Sequence, residues 1–180
     1  MPVAIQDQPP TPPTAKPAST HPPTHPGLIH VHRSDQAFGS FAISSVSLPA
    51  GTLFTKITGA TPSEKAYTSV QVSADSHIEL NSDLVYCNHS CDPSVVFDME
   101  KMEVRVVDER PLSKGDPLTF FYPSSEWEMD QAFDCTCGSG KCKGVIRGAK
   151  GMGWEGLKGY WVNGFIGELV REEEREKNGQ

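Results

Sequence analysis

Hydrophobic and polar positions fall into two regimes along this chain. In the first 27 residues Pro, Thr, Ala and His follow one another without a period, and nine of the fifteen prolines lie there. Such a segment cannot bury enough apolar area to offset the entropy lost on ordering, so residues 1–27 are expected to form a disordered, partly polyproline tail. His21, His25, His30 and His32 are read as a solvated tail running into a first strand rather than as a metal tract. From residue 28 onward, short β-branched or aromatic runs alternate with Pro, Gly, Asp and Lys. Strands are expected at 38–46, 52–57, 69–72, 95–98, 104–107 and 118–122. The runs on either side of Met99-Glu100-Lys101 read as a hairpin with Glu103 and Arg105 turned outward. Residues 154–165 are aromatic and glycine-rich. Residues 168–177 predict a solvated helix, in which pairing of Glu173 with Lys177 offsets repulsion between Glu172 and Glu176. The pattern predicts a mainly β chain of small curled sheets, with no internal repeat.

Composition narrows the class of partner. A chain of 180 residues with 37% hydrophobic residues holds one domain with a modest core. No apolar stretch approaches the roughly 18 residues of a membrane helix, and the N-terminus lacks a signal-peptide pattern. A soluble intracellular protein is therefore expected, with cytoplasmic and nuclear residence both open. The net charge of -7 disfavours direct binding to nucleic acid, which requires Lys and Arg to neutralise phosphates. It suits a basic peptide or an amine. Oligomeric state is not encoded in any visible pattern.

The most informative chemistry lies in five cysteines. Cys135, Cys137 and Cys142 follow one another in a CxCx4C spacing, and Asn88-His89-Ser90-Cys91-Asp92-Pro93 precedes them. A structural zinc site needs four ligands in a tetrahedron, and the short spacing delivers three thiolates from one turn-rich strip. The fourth is expected to be Cys91, which stands in a loop fixed by Pro93, rather than Cys87 in the apolar run Leu84-Val85-Tyr86-Cys87. Gly138 and Gly140 supply the backbone freedom of a tight ligand loop.

Gly39-Ser40-Phe41-Ala42, Leu48-Pro49-Ala50-Gly51, Asn88-His89-Ser90-Cys91-x-Pro93, Gly115-Asp116-Pro117-Leu118-Thr119-Phe120-Phe121-Tyr122 and the terminal cysteine segment follow one another in this order. Taken together they resemble the SET domain with its post-SET zinc segment, a family of protein-lysine methyltransferases that use S-adenosylmethionine. The resemblance covers roughly residues 28–150 and points to a compact subgroup. It implies a SET-domain fold of small curled β-sheets with a pseudoknot-like threading, a post-SET zinc segment and a short C-terminal helix. The implied division is a tail (1–27), a SET domain (28–123), a post-SET segment (124–150) and an aromatic, helical extension (151–180). Tyr122 would be the catalytic residue. Gly39, Ser40, Phe41, Asn88, His89, Tyr122 and Trp127 would hold the cofactor, and Cys91, Cys135, Cys137 and Cys142 the zinc. Trp127 and Phe133 both stand between Tyr122 and the cysteines, where either could cover the adenine, line an amine channel or be core. Phe120 or Phe121 would set the number of methyl groups.

The resemblance implies methyl transfer to an amine, with protein lysine the first expectation. The stretch 59–80, where family members carry a longer insert forming one wall of the peptide groove, is short and implies a smaller or more open substrate site. This raises the alternative of a small-molecule enzyme of the same fold. A third reading is an inactive, zinc-stabilised interaction module with a proline-rich arm.

Overall fold

Alternation of apolar and polar residues builds the centre of the molecule. The fold is a computed structural model that describes residues 22–179, so most of the expected tail lies outside the described residues. The strands are β1 (Ile29–His32), β2 (Phe41–Ser44), β3 (Leu53–Lys56), β4 (Thr61–Ser63), β5 (Ser69–Gln71), β6 (His77–Glu79), β7 (Asn88–His89), β8 (Val95–Asp98), β9 (Glu103–Val106), β10 (Thr119–Phe120), β11 (Phe133–Asp134) and β12 (Val145–Ile146). Two helices follow, α1 (Ala149–Leu157) and α2 (Gly164–Asn178). In the β8–β9 hairpin Val95 faces Val106 and Asp98 faces Glu103. Val104 and Val106 are buried, while Glu103 and Arg105 are only partly covered, which is the period of two that the sequence predicts. β3 completes this sheet in the order β3-β9-β8, and β4-β6-β5 forms a second three-stranded sheet.

Three differences from the expected elements have physical causes. The expected strand at 38–46 shortens to β2, because Phe38 takes a φ of 59° and curls the preceding loop. The strand expected at 118–122 ends at Phe120, and Tyr122 opens a 3-10 turn, Tyr122–Ser124, with Pro123 inside its first positions. Helix α1 leaves little trace in the sequence, since it contains Gly151, Gly153 and Gly156 and bends at Gly153, whose φ is 61°.

β7 and β10 run parallel although each has only two residues, with Asn88 opposite Thr119 and His89 opposite Phe120. The chain between them folds back over β10. Ser90 N–H donates to Phe120 O at 3.1 Å and Ser94 N–H to Thr119 O at 3.0 Å, so β10 is gripped by the loop that carries Cys91. One core lies among these sheets, around Phe97, Leu80, Leu84, Leu112 and Leu118. A second core gathers Phe121, Ala149, Leu157, Ile166 and Val170 and fastens both helices behind the Tyr122 turn.

Asn163 joins the two cores. Its Oδ1 accepts Met99 N–H at 2.8 Å, and its Nδ2 donates to Phe97 O at 3.1 Å and Ser124 O at 2.9 Å. Asn163→Ala strands the first two of these buried backbone groups. It is expected to cost about 2 kcal/mol and lower the melting temperature by about 4–8 °C. An unchanged melting curve would mean that the C-terminal segment docks independently of this residue. At the other end of the chain, Asp83 Oδ2 accepts the N–H groups of Thr24 and His25 at 2.7 and 3.0 Å, while Asp83 N–H donates to Thr24 Oγ1 at 2.8 Å. This reciprocal clamp ties residues 24 and 25 to the 3-10 turn Asp83–Tyr86, immediately ahead of β7.

Candidate functional site

Four cysteines meet although 44 residues separate the first from the second. The Sγ atoms of Cys91, Cys135, Cys137 and Cys142 all lie within 4.8 Å of one another, and Cys87 is outside the group. A tetrahedron with bonds of about 2.3 Å spaces its sulfurs about 3.8 Å apart, close to the 3.9 Å between Cys91 and Cys135, so the donor set fits a metal ion that prefers thiolates. The ligand loop turns at Gly138, whose φ of 69° is the left-handed region a side chain disfavours. Of the glycines expected to do this, Gly138 does and Gly140 does not; Gly144, at φ 76°, supplies the next turn. Cys87 is 2% exposed within the first core.

His89 connects this cluster to Tyr122. Its Nδ1 accepts the backbone N–H of Tyr122 at 3.2 Å, which leaves the proton on Nε2, and Nε2 stands 3.3 Å from Cys91 Sγ. Burial lowers the imidazole to about 4, so the ring is neutral and makes both contacts in one tautomer. An N–H donor directed at a thiolate orients it from outside the ligand set, as outer hydrogen bonds commonly do for metal ligands. Because the side chain is used in this way, only the backbone of His89 is left to meet a cofactor.

The Tyr122 hydroxyl donates to Cys87 O at 3.3 Å. Around it stand the faces and edges of Phe120, His89 and Phe133, with ring centroids 4.7, 5.3 and 6.1 Å away. Burial pushes the phenol well above its ordinary value, and the neighbouring Cys87 and Glu126 add to the effect. The hydroxyl therefore stays protonated and can donate or accept, but it is no base at neutral pH. One phenol oxygen and one carbonyl oxygen within an aromatic wall form a spot that favours partial positive charge. This fits a sulfonium or an amine better than an anion.

The glycine-loop residues are tied to β7. Asn88 Nδ2 donates to Ser40 O at 3.1 Å, which fixes β7 against the loop before β2. Ser40 Oγ accepts Ser34 N–H at 3.1 Å. A Cβ on Gly39 would lie 2.6 Å from Ser34 Oγ, so the missing side chain is required by the loop's own curl. Phe41 turns away and stacks on His32, 4.7 Å between centroids.

Of the two aromatics between Tyr122 and the cysteines, Phe133 reaches the site. Trp127 packs against the second core and borders the groove between α1 and α2. Three contributors escaped the sequence reading. Tyr160 donates its hydroxyl to Cys91 O at 2.8 Å and stacks on Phe121 at 3.8 Å. The carbonyl of Cys87 faces Tyr122. Glu126 is buried one turn beyond Tyr122, and burial pushes its carboxyl up to about 7 against the opposing pull of a Gln71 N–H. None of the three leaves a spacing signal; a carboxylate and an aromatic four to five residues after the Tyr122 position were the visible traces of the last.

No family model matches the chain. It is 52% identical over 149 residues to Methyltransferase flvH of Aspergillus flavus, a match that covers 82% of this chain and 84% of that protein. Shorter matches reach histone-lysine N-methyltransferase ash1 of Drosophila melanogaster, 31% identical over 75 residues, and an H3 lysine-36-specific histone-lysine N-methyltransferase of Debaryomyces hansenii, 33% identical over 61 residues. These two take in 38% and 32% of this chain but only 3% and 8% of the histone enzymes, so the chain spans a small fraction of their length. Among the described residues, no helix is long and apolar enough to cross a membrane.

Proposed function

We propose, from the premise that this chain belongs to the SET-domain methyltransferase family, that it methylates an amine with S-adenosylmethionine, the amine being that of a lysine, and that a structural zinc ion occupies the cysteine cluster. The observation that carries this reading is the Tyr122 hydroxyl held 3.3 Å from Cys87 O inside an aromatic wall, on a turn tied through His89 to the cysteines. The histone-lysine relatives support lysine as the group modified; protein lysine is the form in which their names give it.

Asn88, the backbone of His89, the Gly39-Ser40 loop, Tyr122 and Phe133 would hold the cofactor. When bound, it supplies an electrophilic methyl group on a positively charged sulfur. The amine has to arrive at that carbon with its lone pair free, and a neighbouring positive charge favours loss of its proton. Tyr122, kept neutral by burial, orients the nitrogen through its hydroxyl. The Cys87 carbonyl adds a second fixed dipole, so the alignment is built before the substrate enters. As the nitrogen lone pair forms the new N–C bond, the electrons of the broken bond remain on sulfur. Cys91, Cys135, Cys137 and Cys142 would fill all four positions of a zinc ion, which leaves it a structural part with no open site for chemistry. In this scheme residues 28–123 are the catalytic domain, 124–150 the zinc segment and 151–180 the support behind the Tyr122 turn.

Calorimetric titration of S-adenosylmethionine into the zinc-replete protein tests the reading. The wild type is expected to bind. Asn88→Ala, which frees the glycine loop from β7, is expected to bind about 10-fold more weakly, the equivalent of one buried hydrogen bond. A wild type that does not bind overturns the proposal in favour of a zinc-stabilised interaction module.

A further inference from the structure

We infer that the amine methylated here is carried by a compact molecule of amino-acid size rather than by a polypeptide laid as a strand along β5. The inference rests on the amine-methyltransferase reading above and narrows its substrate.

A polypeptide offers a side chain to a site most economically by adding a strand to an open sheet edge, where backbone groups supply affinity regardless of sequence. The edge that faces the Tyr122 turn belongs to β5, the outer strand of the sheet β4-β6-β5. That orientation follows from two contacts with the segment beyond Tyr122: Gln71 N–H meets Glu126, and Gln71 Oε1 accepts Trp127 N–H at 2.8 Å. The opposite edge of the sheet, on β4, stands two strand spacings away, about 10 Å.

The donors of β5 that point outward are already occupied. Val70 pairs with Ile78, and Val72 N–H donates to Ser76 O, so the N–H groups directed away from β6 are those of Ser69 and Gln71. Ser69 N–H donates to Ala66 O at 3.1 Å. Gln71 N–H donates to Glu126 Oε1 at 2.9 Å. Ser69, Gln71 and Glu126 are all buried. An incoming strand would have to expel a buried carboxylate from its hydrogen bond and leave it without compensation. The far end of β5 is closed as well, because Gln71 Nε2 donates to Ser73 O at 2.8 Å and Ala74 O at 3.1 Å and tightens the β5–β6 turn. A small cationic amine needs none of these backbone groups. It also meets an open polar group, since the second carboxyl oxygen of Glu126 accepts no hydrogen bond among the described residues.

The test measures transfer of labelled methyl from S-adenosylmethionine by the zinc-replete full chain to three probes: L-lysine, lysine capped at both ends, and a histone-tail peptide. L-lysine or the capped residue is expected to be used with a kcat/KM about 100-fold above that of the peptide, the equivalent of two unmade backbone hydrogen bonds. Glu126→Ala, which reopens Gln71 N–H, is expected to narrow that ratio. Glu126→Gln, which keeps an acceptor there, is expected to preserve it, so a general loss of folding is separated from loss of the cap. A peptide used as well as or better than either small probe overturns this inference and leaves amine methylation standing. No transfer to any of the three overturns amine methylation, and the inference falls with it.

Discussion

Cys137→Ser is expected to weaken metal binding severely and to lower the melting temperature by more than about 10 °C. The four sulfurs within 4.8 Å of one another form a closed set, and removing one leaves three ligands and an open position, which converts a structural site into a weak one. Structural zinc binding contributes on the order of 10 kcal/mol to small domains folded around it, so even a partial loss exceeds the effect of most core substitutions. The damage extends to the cofactor. β11 pairs with β12 on either side of the cysteine loop, and it carries Phe133, which faces Tyr122 and directly precedes Asp134 and Cys135. Affinity for S-adenosylmethionine should therefore fall together with metal content, measured by elemental analysis and calorimetry on the same preparation. Cys87→Ala is the control. It removes a small side chain from the first core at a cost of about 1–2 kcal/mol and leaves the zinc stoichiometry at its wild-type value. Equal loss of metal from both variants would contradict the ligand set.

On the proposed function, Tyr122→Phe is expected to reduce kcat by about 10²–10³-fold with little change in cofactor affinity or stability. Among the described residues the hydroxyl has one partner, Cys87 O, and the ring keeps its contacts with Phe120, His89 and Phe133 when the oxygen is removed. Loss of one preorganised polar group at a reacting centre is worth about that much in other enzymes. The pH profile separates this role from proton abstraction. Burial holds the phenol well above its ordinary value, so it does not ionise in the working range. The rate should rise with pH as the substrate amine loses its proton, with the same slope in the wild type and the variant. A rise that the substitution abolishes would instead make Tyr122 the base. Unchanged kcat would remove the hydroxyl from the mechanism.

The parts of this molecule legible in the sequence are those whose signal is local. The CxCx4C spacing, the loop from Asn88 to Pro93 and the run ending at Tyr122 each occupy a few adjacent residues. The β8–β9 hairpin has enough alternation to show its register. β7 and β10 are too short to carry a period, yet their parallel pairing sets the position of Tyr122. α1 was hidden by its glycines. Trp127 and Phe133 could not be told apart because the choice depends on the turn after Tyr122, where Trp127 N–H is drawn to Gln71 and its ring toward the second core. At Gly39 a Cβ would meet Ser34 Oγ, a constraint set by the curl of the loop that the motif alone does not display. Asn163 and Asp83 act between segments more than 50 residues apart, which no window of sequence can display.

Those long-range ties bear on the order in which the molecule matures. Met99 waits for Asn163, 64 residues later, and Cys91 for the hydroxyl of Tyr160, 69 residues later. Contacts so distant in sequence close late, after the loops between them have lost their freedom. During synthesis, the loop bearing Cys91 and the turn bearing Tyr122 emerge well before the residues that brace them. The nascent chain therefore passes through an interval in which the Cys91 loop and the Phe121 face have emerged without the residues that cover them, and the second core closes only once α2 has left the ribosome.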